Sequence, residues 1–196
     1  MAEQTFEIGD KIKALRNLQA LSVAEVSQKT GISAVDLTAI EAHESDPPLG
    51  QIISLANAFQ VSVGEILGDS ADSPFCIVRS SERQTVARFD SDSGTSSGYR
   101  YESLGHKKQN RQMEPFLVTL TPSGAPHTSP NQHIGEEILF VLEGQVEISL
   151  SGHTDIFNPG DSIYYDSKLP HVVTCHGDKP ATLLAVIYAR KDMLIF

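Results

Sequence analysis

Residues 133–144 read HIGEEILFVLEG, and they decide what the second half of the chain is. From Glu137 onward the run alternates. Successive side chains of a β-strand point to opposite faces, so Glu137, Leu139 and Val141 share one side and Ile138, Phe140 and Leu142 pack the other. A short apolar run with this period reads as a strand. Its head is different: His133 stands four residues before Glu137, too ordered for a loop and too polar for plain core. The two residues either hold a metal or face a barrel interior as hydrogen-bonded groups.

Outward from this stretch the period stays at two. FLVTL (116–120), QVEISL (145–150), SIYYD (162–166), HVVTC (171–175) and TLLAVIYA (182–189) are β-type runs. They are separated by turn signals EGQ, LSGH, NPGD and HGDKP, in which His153 and His176 fall. Many short strands with no helix between them predict an antiparallel sandwich or small barrel.

Toward the N-terminus the pattern changes. Apolar residues recur at helical spacing across residues 7–67. Ser22, Ser33 and Ser62 each have an acidic residue three positions on, the signature of a capped helix start. About five short helices are predicted, with Pro47 and Pro48 between the third and fourth and Gly68 after the last. The chain then divides into an all-α domain over 1–70, a linker with the strands that lead into the barrel over 71–112, and a β-barrel core over 113–196, an α+β architecture. DSADSP (69–74) marks the boundary, and DSDSGTSSG (90–98) reads as a mobile loop.

The segment SVAEVSQKTGISAVDLTAIEAHESDPPLGQIISLANAFQVSVGEIL resembles the helix-turn-helix of XRE-family regulators. The match rests on Gln28-Lys29-Thr30-Gly31-Ile32-Ser33 at the turn, Ile40-Glu41, Pro48, and Leu55-Ala56 with Val61 and Leu67. Gly31 suits the tight turn because it accepts a positive φ. The resemblance implies that the second helix of the motif enters the major groove by its N-terminal end. Gln28 and Lys29 at the turn, with Ser33, Ala34, Val35 and Thr38, would then face bases and phosphates. Asp36 stands among them, and residues 33–38 contain no Arg, Lys, Gln or Asn. Over residues 1–70, Lys11, Lys13, Arg16 and Lys29 face ten acidic residues, a net charge of −6. Affinity for DNA draws on counterion release by cationic groups, so the charge points instead to a packing or dimerising cap.

His133, Glu137 four residues on and Gly144 seven beyond resemble the first motif of the cupins. PGDSIYYDSKLPH (159–171) resembles the second, with His171 at its ligand position. The resemblance implies a β-barrel holding a divalent ion, Fe, Mn, Ni or Zn, on His133, Glu137 and His171. Two histidines and a carboxylate from different strands make a facial triad with open positions on the ion. The family's further histidine, two residues before the first, is Asn131 here. Glu136 reads as an outward charge. Asn131, Tyr99, Tyr101 and Cys175 are the ligand-pocket candidates. Tyr99 and Tyr101, with His106, Lys107 and Lys108, would line the barrel mouth and grip an anion, or would be ordinary strand packing. His127 reads as a loop residue.

The whole chain carries −10. It has no signal-peptide pattern and no apolar run of about 18 residues, so a cytoplasmic protein without membrane attachment is expected. Cys76 and Cys175 are isolated, which argues against a disulfide or a cysteine zinc site. The pairing of domains implies a transcriptional regulator, a homodimer on double-stranded DNA, whose cupin binds a small-molecule effector. No catalytic residue is assigned in that reading. The alternative is a mononuclear non-haem iron oxygenase, because the architecture also resembles the hydroxypropylphosphonate epoxidase, which pairs a cupin with a helical domain of this type.

Overall fold

The computed structural model describes residues 8–67, 74–88, 98–108, 111–122 and 130–188. Gly68, most of the 69–74 boundary, residues 90–97 of the serine-rich stretch and His127 lie outside them.

Five helices come first: α1 (Ile8–Leu18), α2 (Val23–Thr30), α3 (Ala34–Glu41), α4 (Leu49–Phe59) and α5 (Val63–Ile66). The three serines cap them as expected. Ser22 Oγ accepts the Glu25 N–H (3.2 Å) while the Glu25 carboxylate accepts the Ser22 N–H (2.8 Å), a reciprocal capping box. Ser33 accepts the Asp36 N–H at 3.0 Å and Ser62 the Glu65 N–H at 3.1 Å. Gly31 ends α2 at φ 75°, the left-handed conformation that turns the chain into α3. Ile12, Val26, Leu37, Ile40, Ile52, Ile53, Leu55 and Phe59 form a core in which each is at most 2% exposed. At its edge Arg16 grips Glu41 through two hydrogen bonds of 2.6 and 2.7 Å.

Nine strands follow: β1 (Gln84–Arg88), β2 (Tyr99–Ser103), β3 (Met113–Leu120), β4 (Glu136–Glu143), β5 (Val146–Leu150), β6 (His153–Phe157), β7 (Ser162–Asp166), β8 (His171–Cys175) and β9 (Ala181–Tyr188). All pair antiparallel, as a six-stranded sheet β1-β2-β3-β9-β4-β7 and a three-stranded sheet β6-β5-β8. The expected barrel is therefore a two-sheet sandwich that does not close, because no ladder among the described residues joins the two sheets. The β4 phase is as read: Glu137, Leu139 and Val141 are buried. Its other face is not packed, however, since Ile138, Phe140 and Leu142 are 40, 39 and 47% exposed. His153 opens strand β6 rather than sitting in a turn. Gly144 turns β4 into β5 at φ 75°, and a Cβ there would stand 2.6 Å from the Pro180 carbonyl oxygen, so no other residue fits.

The two halves meet along one side. Gly64 N–H donates to the Glu114 carboxylate (3.3 Å), which Arg111 holds at 2.6 Å. The start of α4 lies over the open end of the sandwich, where a Cβ on Gly50 would be 3.7 Å from the His133 ring.

Candidate metal centre and the DNA-reading face

Three elements bring the triad together. β4 carries Glu137, β8 begins with His171, and residues 131–135 run between them. That segment is fixed by backbone hydrogen bonds: Asn131 and His171 exchange N–H and C=O at 2.8 and 3.0 Å, and His133 N–H reaches the Ser167 carbonyl at 2.9 Å. Glu137 Oε1 then lies 2.6 Å from His133 Nε2 and 3.9 Å from His171 Nε2. All three residues are buried, at 7, 6 and 4% exposure for His133, Glu137 and His171. The two rings stand at 88° with centroids 5.5 Å apart.

Two of the three groups, His171 and Glu137, are held in the form a ligand needs. The Leu169 carbonyl takes the His171 Nδ1 proton at 2.8 Å, which leaves Nε2 with its lone pair toward Glu137. Burial lowers the His171 pKa against the pull of the Glu137 charge, so the ring is neutral in neutral solution. Burial alone would raise the Glu137 carboxyl. The hydrogen bond and charge of His133, the Tyr165 hydroxyl and His171 together hold it below the ordinary range. Tyr165 donates to Glu137 Oε2 at 2.6 Å from the neighbouring strand β7, where the two residues are register partners. Its own phenol is pushed upward, chiefly by burial.

The three donor atoms lie within 4.8 Å of one another. An ion bound at about 2.1 Å needs donors roughly 3.0 to 3.4 Å apart. The two separations to Glu137, 2.6 and 3.9 Å, bracket that range, and the two histidine donors lie within 4.8 Å of each other, so small side-chain shifts would gather all three. The proton shared by His133 and Glu137 is what an ion would displace. The residues fit a divalent ion.

Tyr99, Tyr101 and Asn131 line the small cavity over the triad together with Leu49 and Gly50 of α4. Tyr99 gives its hydroxyl to the Val173 carbonyl and burial pushes its pKa up to about 12. Cys175 is not brought to the cavity. It sits at the far end of β8 from His171, with Sγ 2.7 Å from the Lys179 carbonyl. His106, Lys107 and Lys108 are also away from it: His106 packs under Ser103 and Lys107 pairs with Glu82 at 2.5 Å. Sequence reasoning missed Tyr165 and the α4 cover. Neither leaves a local signal, because the first follows from strand register and the second from domain docking.

On the helical half, Gln28, Lys29, Ser33, Ala34, Val35 and Thr38 are all exposed, Val35 to 78%. The hydroxyls are committed locally. Ser33 Oγ donates to Asp36 at 2.7 Å and Thr38 Oγ1 to the Ala34 carbonyl at 2.8 Å. Asp36 thus places a carboxylate at the helix end where a phosphate would gain most.

A model of the helix-turn-helix family matches residues 12–66, and a model of the cupin domain matches residues 116–187. The HTH-type transcriptional regulator PuuR of Escherichia coli is 21% identical over 173 residues, 87% of this chain and 89% of that one. The solved structure of an HTH_3 family transcriptional regulator from Vibrio cholerae superposes with a TM-score of 0.69 at 22% identity, covering 94% of this chain and 96% of its own. The Fe(II) form of HppE superposes less closely, with a TM-score of 0.50 at 22% identity over 93 and 98% of the two chains. At these identities the structural likenesses speak to fold alone. The two family matches stand in the order of the helical and β halves, so the chain pairs an N-terminal helix-turn-helix domain with a C-terminal cupin domain, over a length similar to that of the regulator PuuR.

Proposed function

We propose that this DNA-binding regulator holds a divalent ion, Fe, Mn, Ni or Zn, on His133, Glu137 and His171, and senses a small molecule through the cupin. The observation that carries the reading is a buried three-donor cluster in one half of a chain whose other half exposes Gln28, Lys29 and residues 33–36 at the start of α3. A bound ion would supply Lewis acidity and open positions for an effector's oxygen or nitrogen atoms. Tyr165 would orient Glu137, while Tyr99, Tyr101 and Asn131 would shape the space beside the ion. Gln28, Lys29 and residues 33–38 would meet DNA, with specificity carried by few side chains. No helix among the described residues is long and apolar enough to cross a membrane, consistent with work alongside DNA in the cytoplasm.

A homodimer is part of the proposal. Helix-turn-helix proteins read two half-sites with two copies. The outer face of the larger sheet offers Met113, Ile138, Phe140, Leu142 and Tyr164, all at least 39% exposed, as the surface for a second copy.

The test is a binding selection from genomic fragments, followed by titration of the selected fragment at several salt concentrations. A specific complex that weakens as salt rises is expected. Failure to retain any fragment at low salt would remove the reading. The second reading, a mononuclear iron oxygenase, draws on the triad and on the net charge of −6 over residues 1–70. It requires oxygen uptake by the Fe(II)-loaded protein with a phosphonate or hydroxy acid present.

A further inference from the structure

Above the triad a cleft of about 460 Å³ separates the two halves. That size suits a small molecule. One wall is the helix-turn-helix itself, from the turn through Ser33 and Asp36, continued by α4 at Gly50 and Ser54. The opposite wall is the cupin mouth, with Tyr101, Asn131 and Gln132. The floor is shared with the small cavity over His133, Glu137 and His171, since Gly50, Tyr101 and Asn131 line both. Side chains with hydroxyl or amide groups make up half of the lining. Among the described residues no Lys or Arg lines the cleft, and its one formal charge is Asp36. Between these walls a molecule with net negative charge finds no cation; the charge of the proposed ion would lie below, in the cavity over the triad.

Ser33 and Asp36, at the start of the helix that would enter DNA, are therefore also part of a wall of this cleft, while Gln28, Lys29, Ala34, Val35 and Thr38 are not. A recognition helix must sink its first turn into a groove about 12 Å wide, flanked by phosphates on both sides. With the cleft closed, the cupin mouth occupies the space on one side of Ser33 and Asp36, and one backbone cannot pass. Resting on the regulator reading above, we propose that this cleft is the effector site. It takes a small polar molecule whose portion between the walls carries no net negative charge, and which bridges Ser33 and Asp36 to Asn131 and Gln132. Cleft occupancy and DNA binding then compete for the same face. The effector's affinity for the closed arrangement sets how far it shifts the population away from DNA.

Gly50 provides the test. A Cβ built on it lies 3.8 Å from the Asn131 Cβ, the separation a disulfide requires. In a Cys76→Ser/Cys175→Ser background, the Gly50→Cys/Asn131→Cys protein should close on oxidation and bind its DNA about a hundredfold more weakly than when reduced. Equal affinity in the two redox states would overturn the proposal and leave the regulator reading standing. Absence of DNA binding by the unmodified chain would overturn both. Gly50→Phe serves as a wedge that cannot close. Its folded form, checked by circular dichroism, should bind DNA at least as tightly as the unmodified chain, and weaker binding counts against competition. The ligand class is tested on Gly50→Cys alone in the same background. With the protein metal-free, methylphosphonate should leave the rate of thiol labelling unchanged, and protection by it would overturn the stated class.

Discussion

Glu41 in the helical half and Glu137 in the β half are both buried carboxylates, and they are neutralised in different ways. Glu41 meets the guanidinium of Arg16 in a two-bond fork, and Arg16 also donates to the Leu21 carbonyl at 3.0 Å. The side chains are 15 and 8% exposed. Arginine stays charged at every relevant pH, and its planar donors saturate both carboxylate oxygens. The hydrogen bond to Glu41 raises its pKa further. That pair is closed. Glu137 instead meets two imidazoles and a phenol, each of which can surrender its place or its proton to an ion. Burial is alike, so what separates a structural acid from a ligand is whether its partner is a permanent cation or an exchangeable donor.

Two substitutions break the comparison from opposite ends, beginning with the larger effect. His171→Ala removes one donor of three. Affinity for Zn(II) or Mn(II), measured by competition with a chelating dye, is expected to fall at least about a thousandfold. The helical half should unfold as before. Metal affinity unchanged in this variant would mean that the ion, if bound, sits elsewhere. Arg16→Met leaves Glu41 buried without its cation and should cost about 3 kcal/mol in urea unfolding while leaving metal affinity unchanged. A cost near zero would show Glu41 escaping to solvent, and the distinction between closed and exchangeable acids would lose its first term.

Much of this was legible in the sequence, for reasons that differ between the halves. The helix caps at Ser22, Ser33 and Ser62 and the turn at Gly31 are local, settled within four residues, so reading along the chain suffices. The β4 phase was legible because alternation reports which side a residue faces. It does not report depth. Cys175 shares the His171 phase, yet four residues of strand separate them by about 13 Å, which takes it out of the site. Strand β6 left no signal because HTDIF is an outer strand with four of its five residues exposed and nothing to alternate. Sheet closure and the α4 cover depend on contacts between distant segments, to which composition and period are blind. Asn131, where a fourth ligand is missing and a pocket residue is expected, does line the cleft, but its bridge that seats His171 left no mark in the sequence.

Tyr165 sharpens the comparison with the smallest change. Its hydroxyl donates to the Glu137 oxygen other than the one that meets His133. Tyr165→Phe keeps the ring, its packing against His171 at a centroid distance of 5.1 Å and the strand register. It deletes one hydrogen bond. If Glu137 is an exchangeable ligand, that bond fixes which oxygen it offers, and metal affinity should fall about tenfold. Stability without metal should change by about 1 kcal/mol. If Glu137 is only a buried acid satisfied by hydrogen bonds, as Glu41 is by Arg16, the outcome reverses: the loss appears in unfolding and metal affinity does not move. Comparing the variant's unfolding midpoint with and without saturating Zn(II) separates the two. A ligand role predicts a smaller metal-induced gain than in the unmodified chain, and a structural role predicts an equal gain from a lower starting point.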